Sequence, residues 1–181
     1  MRIENTRELP CSQQHAWDAL NSDAVLQACI PGCESLTRST PNQMQVMVMA
    51  ALGPVRARFK AQLELQDLTS PHSYRVVFDG QGGVAGFGKG AALVKLAPID
   101  AARCTMSYEV DVQIGGKLAQ IGSRVVDAAA QKIIGEFFER FEAQLQPVAA
   151  PDPSTEVATA PAQRGWWERL LRWLMRRRAT A

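Results

Sequence analysis

Residues 117–145, KLAQIGSRVVDAAAQKIIGEFFERFEAQL, decide the fold because this long stretch carries apolar and small residues at helical spacing. The positions that step by three or four are Leu118, Gly122, Val125, Ala129, Ile133, Phe137, Phe141 and Leu145. Such spacing places these side chains on one face of a helix. We therefore predict one long C-terminal helix with a buried face, and we expect any bend at Gly135.

The chain before this helix alternates apolar and polar residues at every second position. The clearest example is 54–65, PVRARFKAQLEL, where Val55, Phe59 and Leu63 alternate with charged or amide side chains. Residues 2–9 are a further candidate strand, and four other stretches show the same period: 43–50, 74–79, 91–96 and 104–112. Alternation in each strand predicts a single antiparallel sheet with one dry face and one wet face.

Two short helices are predicted in residues 10–29, PCSQQHAWDALNSDAVLQAC, between the first strand and the others. Ser12 is a suitable N-cap, and residues 21–23 supply a break with a second cap. The order of elements predicts an α+β helix-grip domain over residues 1–146. In that fold a curved antiparallel sheet wraps around one long C-terminal helix, with two short helices beside it.

The chain after Pro147 has a different composition. Residues 147–164 are rich in Pro, Ala, Ser and Thr, which predicts a disordered linker. Residues 165–178, GWWERLLRWLMRRR, predict an amphipathic helix, too short to span a bilayer, that lies in a membrane interface. The expected membrane-binding residues are Trp166, Trp167, Arg169, Leu170, Leu171, Arg172, Trp173, Leu174, Arg176, Arg177 and Arg178. Docking in a partner's groove or on the chain's own domain are the alternatives.

The net charge of +2 conceals an asymmetry between the body and the tail of the chain. Residues 164–181 hold six arginines and one glutamate, a charge of +5, which leaves −3 for the rest. A mildly acidic body argues against nucleic-acid binding, and a basic end suits an anionic membrane surface. We see no signal peptide and no membrane span, so we expect a cytoplasmic protein, peripheral on the inner face of the cell membrane.

The sequence offers little for catalysis or metal binding. Cys29 and Cys33 have C-x3-C spacing, which differs from the usual redox and zinc spacing, and no histidine is near them. His15 and His72 read as surface residues. Because no known catalytic motif is present, we predict no catalytic residue, no metal site and no enzymatic activity.

A cavity between helix and sheet is one interpretation of the side-chain sizes. The first half of the long helix is small, with Gly122, Ala128 and Ala129, whereas the facing strands carry Met and Phe. The alternative is that small residues let the helix approach the sheet with no void. The glycine-rich stretch 79–92 forms either a flexible lip with Phe87 as a lid or a wide bulged hairpin. The expected ligand-binding residues are Ile30, Pro31, Met44, Phe59, Phe78, Phe87, Met106, Val125, Ala129 and Ile133.

Four stretches carry a family resemblance: ACIPGCESL (28–36), ALGPVRARFKAQLELQDL (51–68), the glycine-rich segment through GFGKGAALVKLAP (80–98), and residues 108–145. Together they resemble the CoxG family of carbon monoxide dehydrogenase proteins, which belongs to the START-like helix-grip (SRPBCC) superfamily. The resemblance implies a partner of the carbon monoxide dehydrogenase type, a molybdenum hydroxylase. It also implies a bound respiratory quinone, menaquinone or ubiquinone, and no covalent cofactor.

Three functions follow as expectations. The first is a membrane-tethered protein that holds a quinone and links the molybdenum hydroxylase to the membrane electron-transport chain. The second is a membrane-anchoring or assembly factor for that enzyme, with a filled core and no ligand. The third is an enzyme of the polyketide-cyclase kind, which this fold also hosts. Cavity volume separates the first from the second.

Overall fold

A computed structural model describes residues 1–145, and Met1–Pro147 form one compact unit. Seven strands make one antiparallel sheet in the order β1-β7-β6-β5-β4-β3-β2. The strands are β1 (Arg2–Leu9), β2 (Cys33–Thr40), β3 (Gln43–Leu52), β4 (Val55–Thr69), β5 (Ser73–Gln81), β6 (Phe87–Pro98) and β7 (Cys104–Gly115). The helices are α1 (Gln13–Leu20), α2 (Asp23–Cys29), α3 (Lys117–Gln120) and α4 (Ser123–Leu145). The predicted helix-grip fold is confirmed.

Strand register shows which side chains share the face toward α4. Met44 lies opposite Leu63, Leu63 opposite Phe78, and Phe78 opposite Gly90. Further along, Tyr74 lies opposite Val94 and Val94 opposite Tyr108. Directly paired residues point to the same side of a sheet, so this face is apolar over five strands. The period-two prediction placed this face correctly.

The short helices begin where their caps were expected. The Ser12 hydroxyl accepts a hydrogen bond from the His15 amide at 3.3 Å, and Ser22 caps α2 through the Val25 amide. Trp17 and Leu20 of α1 are buried against the sheet. These contacts fix α1 and α2 at one end of the long helix.

The long C-terminal helix differs from its prediction in two ways. It is interrupted at Gly122, whose φ of +91° is unsuited to a continuing helix, and α4 then runs unbroken through Gly135. The interruption also shifts the helix phase, so Val126 is buried whereas Val125 is 39% exposed. The expectation that Val125 points inward is therefore wrong.

The hydrophobic core lies under the second half of α4. Phe141 and Leu145 are fully buried there, and Phe138 stacks on Tyr108 with ring centroids 5.4 Å apart. The four cysteines are free thiols, and burial together with the neighbouring Cys104 thiol raises the pKa of Cys11 to about 11. The first half of α4 has little such packing, which leaves space beneath it and beside it.

The predictions for the C-terminal tail and for the start of the sheet have different outcomes. The linker 147–164 and the helix 165–178 lie beyond residue 145, so they stay predictions. Strand β2 was not individually predicted, because its sequence CESLTRST has few apolar residues to reveal a period. Within residues 1–145, we find no helix long and apolar enough to cross a bilayer.

Candidate ligand-binding site

An apolar cavity of about 290 Å³ lies between the inner face of the sheet and helices α2 and α4. We call it the grip cavity. Its wall is made of aliphatic and aromatic side chains: Leu20, Leu26, Ile30, Pro31, Tyr74, Ala92, Val94, Met106, Tyr108, Val110, Ile133, Ile134, Phe137 and Phe138. An apolar wall with few polar groups is typical of sites that hold an apolar ligand.

Tyr74 and Tyr108 carry the polar side-chain atoms of this wall. Burial raises the pKa of the Tyr74 phenol well above its ordinary value, so this group stays protonated. Trp17 packs edge-on against its ring, with centroids 5.4 Å apart. A protonated phenol can donate a hydrogen bond to a ligand oxygen, and Tyr74 and Tyr108 are the residues of this wall whose side chains carry an oxygen.

A second, larger cavity of about 940 Å³ lies between α4, strand β3 and the turn at residues 30–32. We call it the outer groove. Small residues make room for it, notably Ala50, Ala51, Ala128 and Ala129. The small residues of the helix therefore accompany a cavity, rather than the close packing that was the alternative interpretation.

Charged side chains line one edge of the outer groove. Glu136 lies between Lys132, at 3.7 Å, and Arg140, at 3.9 Å, and Arg124 lies further along the helix. Three basic groups against one acid leave this edge positive. The Glu136 carboxylate is thus paired with basic groups at the groove edge.

The two cavities adjoin each other. Ile30, Pro31 and Ile133 line both of them, so the turn after α2 and one residue of α4 stand between the spaces. The Met49 amide donates a hydrogen bond to the Gly32 carbonyl at 2.9 Å, which holds this turn on β3. The turn therefore sets the boundary between the grip cavity and the outer groove.

Substitution of Gly32 tests how closely the turn at residues 30–32 packs on β3. Its φ is +71°, and a Cβ there would lie 2.2 Å from the Met49 carbonyl oxygen. We expect Gly32→Ala to lower the free energy of unfolding by about 2–3 kcal/mol, from backbone strain and loss of the turn hydrogen bond. Urea denaturation measures this loss.

Gly83→Ala is the matched control for that substitution. Its φ of +59° is similar, but nothing lies within 4 Å of the added Cβ. It should therefore lose only the conformational part, about 1–2 kcal/mol. Equal losses in the two variants would contradict the account of a turn held against β3.

The structure brings together six of the ten residues expected at the ligand site. Ile30, Pro31, Met106 and Ile133 line the grip cavity, and Val125 and Ala129 line the outer groove. Contact with a ligand stays a prediction for all of them. Sequence reasoning missed the wall residues from α1, α2 and the second half of α4. Their apolar spacing marked them as core, with no sign that they border a space.

The other four expected residues line neither cavity. Met44 on β3 and Phe78 on β5 share the inner face of the sheet, but neither residue lines the space under α4. Phe59 packs on Gly82, where an added Cβ would be 2.4 Å from its ring. Alternation identified the face of these side chains correctly and could not locate them along it.

Phe87 is a clearer correction. Register pairs Gly80 with Gly88 on the inner face, so Phe87 lies on the outer face, where its ring packs on Gly115. The Lys89 ammonium lies 5.8 Å from the ring centroid on that same face. The stretch is a hairpin around a short 3₁₀ turn, Gly83–Ala85, and Phe87 does not cover the cavity as a lid.

The two histidines lie away from both cavities. The His72 ring hydrogen-bonds the Gln13 amide at 3.0 Å on the surface, and His15 is exposed on α1. Among residues 1–145, the grip-cavity wall holds no Asp, Glu, Lys or His. The arrangement suits binding of an apolar molecule more than acid–base chemistry.

Solved structures with this architecture define the class. A conserved protein from Geobacillus kaustophilus is 26% identical, with a TM-score of 0.76 over 80% of this chain and 95% of that one. A START superfamily protein from Mycobacterium smegmatis is 12% identical, with a TM-score of 0.62 over 80% and 96%. The ZhuI aromatase/cyclase from Streptomyces sp. R1128 is 9% identical, with a TM-score of 0.58 over 80% and 93%. This is a START-like helix-grip protein.

The family follows from the sequence match. The family model for CoxG, a carbon monoxide dehydrogenase subunit, matches residues 7–146, and the chain belongs to that family. A search of curated proteins found no significant match. The family name links the chain to carbon monoxide dehydrogenase.

Proposed function

We propose that this protein is a membrane-tethered, non-enzymatic carrier that holds a respiratory quinone for a carbon monoxide dehydrogenase-type molybdenum hydroxylase. The observation that carries the proposal is the pair of adjoining apolar cavities that meet at Ile30, Pro31 and Ile133. Ligand sites commonly enclose about 300–1,000 Å³, and the two spaces lie near the lower and upper ends of that range.

The two cavities suit the two parts of a quinone. A quinone ring has two carbonyl oxygens that accept hydrogen bonds, and Tyr74 and Tyr108, which line the grip cavity, are the candidate phenol donors. An isoprenoid chain is purely apolar and needs more room than the ring, which the larger outer groove offers along α4. In this arrangement the ring lies under α4 and the chain passes Ile133 into the groove.

The carrier works by moving a ligand between two apolar environments. An isoprenoid chain leaving a bilayer loses its hydrocarbon surroundings, and only an apolar groove makes that exchange nearly even in free energy. Within residues 1–145, the wall of the grip cavity holds no Asp, Glu, Lys or His, and the two phenols are its only side-chain groups that could take part in acid–base chemistry. The bound quinone supplies the redox chemistry, and the protein positions it.

The membrane part of the proposal rests on residues 165–178. Their tryptophans suit the headgroup depth and their arginines suit anionic lipid. The protein would then sit on the inner face of the cell membrane, between the pool of quinone and the dehydrogenase. A protein partner without any ligand, the anchoring-factor alternative, would leave the two cavities without a role.

Fluorescence of Trp17 tests quinone binding directly. Trp166, Trp167 and Trp173 are replaced by Phe, so that Trp17, which contacts the cavity wall through Tyr74, is the remaining tryptophan. Titration with a short-chain menaquinone or ubiquinone should quench this fluorescence to saturation, and the ligand should raise the melting temperature. Linear, unsaturable quenching with an unchanged melting temperature would favour the anchoring factor.

A further inference from the structure

The end of the sheet where β3, β5 and β7 finish carries three connections that lie against one another. A Cβ at Gly53, in the β3–β4 turn, would lie 2.6 Å from the Val125 side chain at the start of α4. A Cβ at Gly116, before α3, would lie 2.5 Å from Gly86, just after the 3₁₀ turn. Residues 51–55, 83–85 and 117–125 therefore form one surface, which we call the apolar tip.

The apolar tip exposes large hydrophobic side chains. Val84 is 86% exposed, far more than any other large hydrophobic residue in the described part of the chain. It sits on a turn held by hydrogen bonds from Gly82 to Gly86 at 2.8 Å and from Ala85 to Gly82 at 3.1 Å. Val125 is 39% exposed and lines the outer groove. The turn therefore holds Val84 in water on the same surface as Val125, and the significance of this pair depends on the charges around it.

Within the three stretches of chain that build the apolar tip, the charged residues are all basic. Residues 46–63, 80–92 and 112–126, which build this end of the sheet, contain no Asp or Glu. The same stretches contain six basic residues: Arg56, Arg58, Lys60, Lys89, Lys117 and Arg124. Acidic groups occur at their margins, where Glu34 binds Arg58 at 2.6 Å and where Asp79, Asp111 and Asp127 adjoin the ends of the stretches.

We propose that the apolar tip is a second membrane-contact site, which inserts Val84 and its neighbours into an anionic bilayer independently of residues 165–178. The charge pattern favours this occupant, because exposed apolar side chains ringed by Lys and Arg complement an anionic lipid surface. Val125 belongs to the apolar tip and also lines the outer groove, so contact at the tip would bring this part of the groove close to the lipid. The inference rests on the proposed function and extends it by fixing the orientation of the domain on the membrane.

An environment-sensitive fluorophore at position 84 tests the contact in the full chain. Val84→Cys is labelled in a Cys33→Ser background, since the other three cysteines are buried. Leu68→Cys is the matched control, because Leu68 is 42% exposed at the other end of the sheet. Vesicles of phosphatidylcholine with phosphatidylglycerol should shift the emission of the label at 84 to the blue and leave the label at 68 unchanged.

A charge at the same place gives a second readout. Val84→Asp in the full chain should lower partitioning into these vesicles by about tenfold, whereas Leu68→Asp should change it by less than about twofold. Loss of exposed Val84 should leave the melting temperature of the protein unchanged. Equal effects of the two substitutions would overturn the proposal.

The outcomes separate this inference from the proposed function. If the protein sediments with anionic vesicles while the label at 84 stays in water, the apolar tip is not a membrane site, and the tail's role stands. If no form of the protein sediments with vesicles, both membrane contacts fail together. If the label at 84 responds to the dehydrogenase and not to vesicles, the surface docks a protein and the lipid proposal is wrong.

Discussion

Replacing Ile133 with Trp is expected to weaken quinone binding by at least about tenfold, or ~1.4 kcal/mol. Ile133 lines both the grip cavity and the outer groove, together with Ile30 and Pro31. An indole at this position would occupy the junction through which the quinone ring and its chain must connect. The Trp17 titration measures the change in affinity.

The control for this substitution lies two residues away on the same helix. Gln131 is exposed, so Gln131→Trp adds the same side chain outside both cavities. We expect its affinity for quinone to match the wild type. Overpacking typically costs about 1–3 kcal/mol of stability in a filled core, and we expect Ile133→Trp to cost less because Ile133 borders open space. Unchanged binding in Ile133→Trp, or equal loss in Gln131→Trp, would contradict the proposed path.

Ending the chain after Gln146 is expected to weaken binding to anionic vesicles by about a hundredfold or more. Each basic residue near such a surface contributes ~1 kcal/mol, and residues 165–178 hold five arginines along with three tryptophans. The shortened protein should keep its affinity for quinone, because Met1–Pro147 form one compact unit that contains both cavities. Vesicle sedimentation and quinone titration on the same preparation measure the two effects.

Two full-length variants separate lipid contact from simple charge attraction in the tail. Replacing Trp166, Trp167 and Trp173 with Ala removes apolar contact, and replacing the arginines with Gln removes the charge. Because salt screens charges, raised salt should weaken vesicle binding of the variant without tryptophans, which still has its arginines. It should change vesicle binding of the variant without arginines little. A shortened chain that sediments with vesicles as well as the full chain would refute the tail's part in tethering.

Much of this fold could be predicted because apolar periodicity distinguishes its strands from its helices along the chain. Period two over the strands and helical spacing after Gly116 indicated one sheet and one covering helix. The break at Gly122 was missed because glycine and alanine both fit a stripe of small residues. Its φ of +91° shows that Gly122 ends one helix before another begins. Strand β2 was missed for lack of apolar residues.

The candidate site was only half predictable, for a physical reason. Periodicity assigns a side chain to a face, and Met106 and Met44 were both correctly placed on the inner one. Where space remains along that face depends on how far α4 stands from each strand, which no local pattern encodes. Phe87 was misplaced because the surrounding glycines give no alternation, and only the pairing of Gly80 with Gly88 sets its side.

Solvent extraction of the native protein is the most direct measurement of the central claim. The full chain is purified from cells without detergent and extracted with organic solvent. Mass spectrometry then measures the amount of quinone in the extract, which is compared with the amount of protein. The account predicts a respiratory quinone at close to one per protein, and its loss in Ile133→Trp but not in Gln131→Trp. A well-folded protein that yields no quinone, even after incubation with a short-chain quinone, would contradict the carrier account.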